Sequence, residues 1–281
     1  MSSPSNGTHT LVKTAEVMGT VATIQVIYRS AVENPDIAKA AIISFIAGMR
    51  EDQAIFTTYD EKSVIRRIAR GELAMADAPD VVREVEQACR LAKAATNGKF
   101  DAWYRGWFDP TGYVKGWSTE RNFRFSLVPA MNRTPEIIAI GVNVGGDMQV
   151  KTRPDADWTW NVGVANPFDN QRILARFALR DGAVATSGPA ERGAHIFNPL
   201  TGLPASSMDG GVGGPNGDNT IVSATVIADS LTLADIWATA AVVAGFDDLT
   251  WITNAGTMSG LIVARDGRTK RWAGNAELPE S

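Results

Sequence analysis

Apolar and polar residues alternate along Thr20 to Tyr28 (TVATIQVIY), and the β-branched content of that stretch predicts a strand with one buried face. The period changes at Asn34-Pro35, which reads as an N-cap followed by proline at the first helical position. Ile37, Ala41, Ser44, Phe45 and Gly48 then follow at helical spacing. A second helix is predicted from Pro79 to Thr96, with Val81, Val82, Val85, Ala88, Cys89 and Ala92 as its buried stripe and Asn97-Gly98 as its end. Ile137 to Val144 is an almost continuous apolar run, which suits a buried strand, and Gly145-Gly146 suits a tight hairpin turn. Trp158 to Ala165, Ile173 to Leu179 and Ala183 to Thr186 read as further short strands. Leu261 to Ala264, Asp266-Gly267 and the basic RTKRW segment predict a hairpin closed by a type I′ turn.

Strands and helices mix without a regular βαβ rhythm, so the expected class is α+β, with mixed, largely antiparallel sheets and packed helices. Residues 1–15 are expected to be disordered, and residues 16–281 to form a single domain, at most two intimate lobes. Ser206 to Thr220 (SSMDGGVGGPNGDNT) is a glycine-rich surface loop. It nearly spells a dinucleotide fingerprint, but Asn216 stands where the last glycine should be, and no strand leads in and no helix leaves. A Rossmann reading is therefore rejected.

Composition narrows the chemistry. A net charge of −4, with basic residues scattered along the chain, argues against nucleic acid or an acidic membrane as partner. Cys89 is the one cysteine, so no intramolecular disulfide can form. Met1 to Leu11 carries no hydrophobic signal core and no lipobox cysteine, and no apolar run is long enough to span a bilayer, so a cytoplasmic protein is expected. With only His9 and His195 as histidines, a metal held by clustered His and Cys is nearly excluded. A metal here would be held by oxygen, which favours magnesium or calcium.

Four segments could carry chemistry, and each has a plain alternative. In Leu231 to Gly245, Asp235 and Thr239 lie four apart and would present a carboxylate and a hydroxyl on one helix face, suited to a hard cation. Thr232 and Asp235 also match a capping box, in which Asp235 would only satisfy backbone N–H groups. In Asp109 to Trp117 (DPTGYVKGW), Pro110 and Gly112 suit a turn with outward carbonyls and Lys115 a phosphate-binding cation; the alternative is a surface turn with a solvated lysine. In Asn143 to Asp147 (NVGGD), the glycines would let a ligand approach and Asp147 could accept from it, or Asp147 merely faces solvent. Ala185 to Pro204 sets Ser187-Gly188 and His195 at what read as adjacent strand ends. A serine hydrolase using Ser187 and His195 ranks low, because no G-x-S-x-G elbow surrounds Ser187.

The order of these pieces is more specific than any one of them. MGT (Met18 to Thr20), TYDEKS (Thr58 to Ser63), GKFD (Gly98 to Asp101), DPTGYVKGW, NVGGD, TSG…HIFNPLTGLP and ADIWATA together resemble the FAD:protein FMN transferase family, the ApbE family. The resemblance implies a T-fold-related architecture and magnesium bound by Asp235, Thr239 and the Gly112 carbonyl, with Ala238 adding its own carbonyl. It implies FAD contacts at Met18, Tyr59, Lys99, Phe100, Asp101, Asp109, Lys115 and Ile196, with Asp147 and His195 close to the flavin. His195 is then the expected proton-transfer group. The chain departs from the family's pattern at Arg66, Arg67 and Ile68, where an asparagine is common, and at Val114, where alanine is usual.

The activity so implied is magnesium-dependent cleavage of the FAD pyrophosphate, with FMN passed to a threonine or serine of a partner flavoprotein and AMP released. Hydrolysis of FAD to FMN and AMP, and flavin binding without turnover, are the alternatives. No acceptor-like D-G-A-T motif occurs in the chain, so an external acceptor is expected. The glycine-rich loop at 206–220 is expected to guide that acceptor.

Overall fold

The computed structural model describes residues 7–30, 35–189, 198–199, 205 and 218–278. Strand β1 (His9–Val17) runs antiparallel to β2 (Thr20–Tyr28) across a two-residue turn in which Met18 and Gly19 both take positive φ. This corrects the expectation of disorder through residue 15. β1 is a sheet edge whose side chains are mostly exposed, so it shows no apolar period; its ladder of backbone bonds to β2 holds it in place.

Helix α1 (Asp36–Phe56) places Pro35 at the cap, one residue before the helix proper. Its buried stripe is Ala38, Ala41, Ile42, Phe45, Met49, Asp52 and Phe56, rotated from the predicted one, and Ile37 and Ser44 face outward. Helices α2 (Val64–Ala69) and α3 (Asp80–Ala95) follow. α3 buries Val82, Val85, Cys89 and Ala92 as the periodicity predicts, while Val81 and Ala88 are half-buried. Asn97 and Gly98, both at positive φ, return their N–H groups to Ala94 and Lys93 and end it. Helix α4 (Thr111–Asn122) begins inside DPTGYVKGW, so Gly112 lies in a helical first turn and not in an open turn. A π-helical stretch, Phe123–Leu127, joins it to α5 (Val128–Arg133).

The rest is sheet with one further long helix. β3 (Ile137–Val144) and β4 (Asp147–Thr152) are joined at Gly145-Gly146, both at positive φ. β5 (Trp160–Asn166) and β6 (Asp169–Leu179) form a separate hairpin. β7 (Gly182–Ser187), β8 (Ile221–Ala228), helix α6 (Leu231–Ala244), β9 (Ser259–Ala264), β10 (Thr269–Ala273) and β11 (Ala276–Leu278) complete the order. The β9–β10 turn is not type I′. Asp266 keeps negative φ and only Gly267 is positive, with Ala264 paired to Arg268, which makes a three-residue loop with a glycine bulge.

Among the described residues one antiparallel sheet of nine strands runs β1-β2-β3-β4-β7-β8-β9-β10-β11. Period-2 alternation sends Ile24, Val26 and Tyr28 of β2 to one face, against α1, and Ile27 to the other, against Trp158 and Trp160. α6 covers β7 to β10 on the helical side, through Leu231, Trp237, Ala238 and Ala241. α4 lies between α1 and α6. The mixed architecture with an antiparallel sheet is the α+β class expected.

α4 is pinned to α1 by polar groups gathered on the buried Asp52. Asp52 accepts from Ser118 Oγ at 2.6 Å, Asn122 Nδ2 at 2.9 Å and Arg121 at 3.3 Å, and a side chain at Gly48 would overlap Asn122. Asp52→Ala would leave the buried Ser118 and Asn122 donors unmet. Denaturant titration should show a loss of about 3 kcal/mol, more than one net hydrogen bond contributes.

Candidate active site

The site grows from the crossing of α4 and α6, which run in opposite directions with Gly116 at the contact. A Cβ on Gly116 would stand 3.0 Å from Asp235 Oδ2, 3.0 Å from Asp235 Cβ and 3.2 Å from the Leu231 carbonyl. Only a glycine lets the two backbones meet this closely without displacing the aspartate.

The first N–H groups of α6 have all found acceptors. Leu231 donates to Gln149 Oε1 at 3.1 Å, Thr232 to Glu120 Oε2 at 3.0 Å, Leu233 to Ser230 Oγ at 3.2 Å and Ala234 to the Ser230 carbonyl at 3.0 Å. Ser230 is the N-cap, not Thr232. The capping-box reading of Asp235 is therefore overturned: the Thr232 N–H it would have capped is taken by Glu120, and its neighbours in the first turn by other acceptors. Asp235 is buried, and its Oδ2 has no hydrogen bond with any described residue; Lys115 Nζ stands 4.0 Å away.

Lys115 and Asp147 also depart from their plain alternatives. Asp147 is 1% exposed rather than solvent-facing, accepts from the Thr186 N–H at 3.2 Å and pairs through Oδ2 with Lys115 Nζ. The Lys115 side chain is 14% exposed, so it is not a solvated surface lysine. Two buried carboxylates thus flank one ammonium, a balance that favours a further positive charge.

These groups open onto a cavity of about 390 Å³, whose walls include Tyr59, Lys99, Phe100, Asp101, Asp109, Gly112, Lys115, Asp235 and Thr239. All nine were singled out by sequence. Tyr59 is 95% exposed at the rim. Ser63 holds the turn that carries it, donating to the Thr57 carbonyl at 2.6 Å and accepting from the Arg66 N–H at 3.2 Å. Lys99 pairs with Asp248 at 3.4 Å. Burial opposes ionisation of Asp248, but bonds from Thr250 and the charge of Lys99 prevail and hold its carboxyl below the usual range. Asp101 is fixed by Lys93 at 2.7 Å and the Trp103 N–H at 2.8 Å. Asp109 Oδ1 accepts from Thr111 N–H and hydroxyl at 3.1 and 2.7 Å, closing the start of α4.

Other expected residues fall elsewhere. Met18 sits in the β1–β2 turn, donates its N–H to Gln53 Oε1 at 2.7 Å and does not line the cavity. Ala238 is fully buried within α6, also off the wall, and Asp147 lies just behind it. His195, Ile196 and residues 206–217 of the glycine-rich loop lie outside the described residues. Arg66 pairs with Glu61 at 2.9 Å and lies over the Trp107 ring at 5.4 Å; neither it, Arg67 nor Ile68 reaches the cavity wall.

Sequence reasoning missed Tyr104, Arg105 and Thr186 on the wall, and Gln149 and Glu120 behind it. Thr186 lies within a quoted motif, and Glu120 follows Gly112 and Gly116 at four-residue steps; these were the available signals. Burial raises the Tyr104 phenol above its ordinary range, so at neutral pH it is a donor.

The donors suit a hard cation. Asp235 offers a buried oxygen, 4.0 Å from Lys115 Nζ and without a hydrogen bond among the described residues. Thr239 Oγ1, one turn on, lies 3.3 Å from Ser187 Oγ, and Gly112 faces the same space. No group of three or more His, Cys, Asp or Glu gathers among the described residues, so such a site would rest on one carboxylate supplemented by neutral oxygens.

The ApbE family model matches residues 107–262. Similar solved structures include the apbe protein of Thermotoga maritima (TM-score 0.75, 21% identity, covering 94% of this chain and 97% of that one). Flavin Transferase ApbE from Vibrio cholerae follows at TM-score 0.70, 18% identity and 95% and 97% coverage. Pseudomonas stutzeri flavinyl transferase ApbE, apo form, gives TM-score 0.69, 16% identity and 95% and 94% coverage. No curated protein matches the chain.

Lys115→Met would strand Asp147 in the interior, and thermal or denaturant unfolding should show a loss of about 3 kcal/mol. Adding Asp147→Asn should restore part of it, the double variant falling short of additivity by about 1 kcal/mol or more.

Proposed function

We propose a function on one premise: this chain belongs to the ApbE family. The reaction is transfer of the FMN part of FAD to a threonine or serine hydroxyl of a partner flavoprotein, with magnesium required and AMP released. The observation that carries this reading is Asp235 Oδ2, buried at the cavity beside Thr239 and without a hydrogen bond among the described residues.

Asp235, Thr239 and the Gly112 carbonyl would hold the magnesium ion. When bound, it supplies positive charge to pyrophosphate oxygens as charge develops on them. Lys115, steadied by Asp147, would present its ammonium to the same phosphates, and the surroundings strengthen that interaction by excluding water. Lys99, Asp101 and Asp109, each fixed by its own partners, would bind and orient the remainder of FAD. Tyr59, at the rim, offers an aromatic face to a planar ring.

In the transfer, the acceptor hydroxyl oxygen forms a bond to the phosphorus on the riboflavin side. The bond from that phosphorus to the bridging oxygen breaks, AMP leaves with the bridging oxygen, and the hydroxyl proton passes to a base. His195 remains the proposed proton acceptor, since an unperturbed imidazole titrates near neutrality. An external acceptor fits the absence of an acceptor-like motif in the chain. Among the described residues no helix is long and apolar enough to cross a membrane.

The test is incubation with FAD and a threonine-containing acceptor peptide, with magnesium or with EDTA, read by peptide mass and by chromatography of AMP and FMN. A peptide heavier by one FMN moiety, with magnesium only, is expected. Asp235→Ala should lower that rate by about a hundredfold or more. Undiminished turnover would remove Asp235 from the metal site. AMP and free FMN with an unlabelled peptide would favour hydrolysis, and intact bound FAD would favour a carrier.

A further inference from the structure

Glu120 lies on α4 outside the cavity, yet its Oε2 collects three donors from the start of α6: Ser230 Oγ at 2.6 Å, Thr232 N–H at 3.0 Å and Thr232 Oγ1 at 2.7 Å. Its side chain is only 15% exposed, so water competes weakly for these bonds. A carboxylate at a helix N-terminus is also favoured by the peptide dipoles.

The placement matters more than the number of bonds. Gly112, Gly116 and Glu120 recur every four residues and share one face of α4. Facing them along α6, in the opposite direction, come Thr239, Asp235 and the Ser230–Thr232 start. One end of the crossing holds the candidate cation ligands, the middle is the bare contact at Gly116, and the far end is the Glu120 bond set. Gln149 ties the same α6 terminus to the sheet; Glu120 ties it to α4. Asp235 and Gly112 belong to different helices, so their separation depends on how far α6 may slide along α4. Cation–oxygen distances tolerate about 0.2 Å, and a helix advances about 1.5 Å per residue, so even a fraction of one residue's slip would spoil the ligand set.

We propose that Glu120 is a positioning residue for the cation site, setting the register of α6 against α4 and hence the spacing of Asp235 and Thr239 from Gly112 and Lys115. The proposal rests on the cation reading of Asp235 given above. It assigns Glu120 no contact with FAD or metal, and it separates metal affinity from flavin affinity.

The test uses the full chain and Mn2+ alone as probe, titrated by electron paramagnetic resonance, in wild type, Glu120→Gln, Glu120→Ala and Thr232→Val. FAD binding in EDTA, followed by flavin fluorescence, and thermal melting are measured in parallel. Glu120→Ala should weaken Mn2+ binding on the order of tenfold, as loss of a ligand-orienting partner does, and Glu120→Gln less, because its amide oxygen can still accept. FAD affinity in EDTA should stay unchanged. Thr232→Val should move Mn2+ affinity in the same direction, and Glu120→Ala with Thr232→Val should be no worse than Glu120→Ala alone. Unchanged Mn2+ affinity in a folded Glu120→Ala chain would overturn the proposal, as would an equal loss of FAD affinity, the mark of a merely structural role. If Glu120→Ala does not fold, Thr232→Val decides by the same readout. A wild-type chain that fails to bind Mn2+ would remove the cation reading and the proposal together; wild-type binding that neither substitution alters would remove the proposal alone.

Discussion

Helices α4 and α6 meet where α4 has no side chain, and the candidate chemistry depends on that contact. With Gly116 at the crossing, the Asp235 carboxylate lies against a backbone, shielded from water, without being satisfied by it. A methyl group there would press on both Asp235 and the Leu231 carbonyl. Close packing thus keeps that oxygen from solvent while giving it no hydrogen bond among the described residues, a costly state for a carboxylate.

The neighbouring charges follow from the same enclosure. Asp147 emerges from the β3–β4 turn already buried, and Lys115 reaches it from the first turns of α4. A carboxylate kept from water needs a cation close by, and here one ammonium serves Asp147 while remaining 4.0 Å from Asp235. The result, around Lys115, is two buried carboxylates against one ammonium, fixed in place beside a cavity whose wall also carries Lys99 and Arg105. Because α4 is held on its other flank by the Asp52 cluster, the lysine is presented by a helix braced on two sides.

Much of the fold could be read from local patterns, and the exceptions have physical causes. β2 and β3 kept their predicted limits because period-2 alternation or a continuous apolar run reports burial directly. β1 escaped notice since an edge strand held by backbone bonds needs no apolar period. The stripe of α1 was misjudged at Ile37 and Ser44, which are exposed while Ala38, Ile42 and Met49 are buried, because a helix rich in small and apolar residues on several faces leaves its buried side to the packing. The β9–β10 turn took a bulge in place of a type I′ turn, a choice made by strand twist and register that a dipeptide does not encode.

For the site, the sequence by itself determined which chemical groups were available: few histidines, a single cysteine, a Gly-x-x-Lys-Gly stretch and an aspartate four residues before a threonine. Helical periodicity is enough to place Asp235 and Thr239 on one face, because that relation is local. Only the tertiary structure decided that Asp235 is not a cap, since the competing acceptors Gln149 and Glu120 arrive from β4 and α4, over a hundred residues away in the case of Glu120. It also decided that Asp147 and Lys115 are buried partners, a pairing across 32 residues that no spacing rule expresses. Hydrogen-bond supply and burial are properties of the packed assembly, so the role of a polar residue emerges only when every competitor for its bonds has been placed.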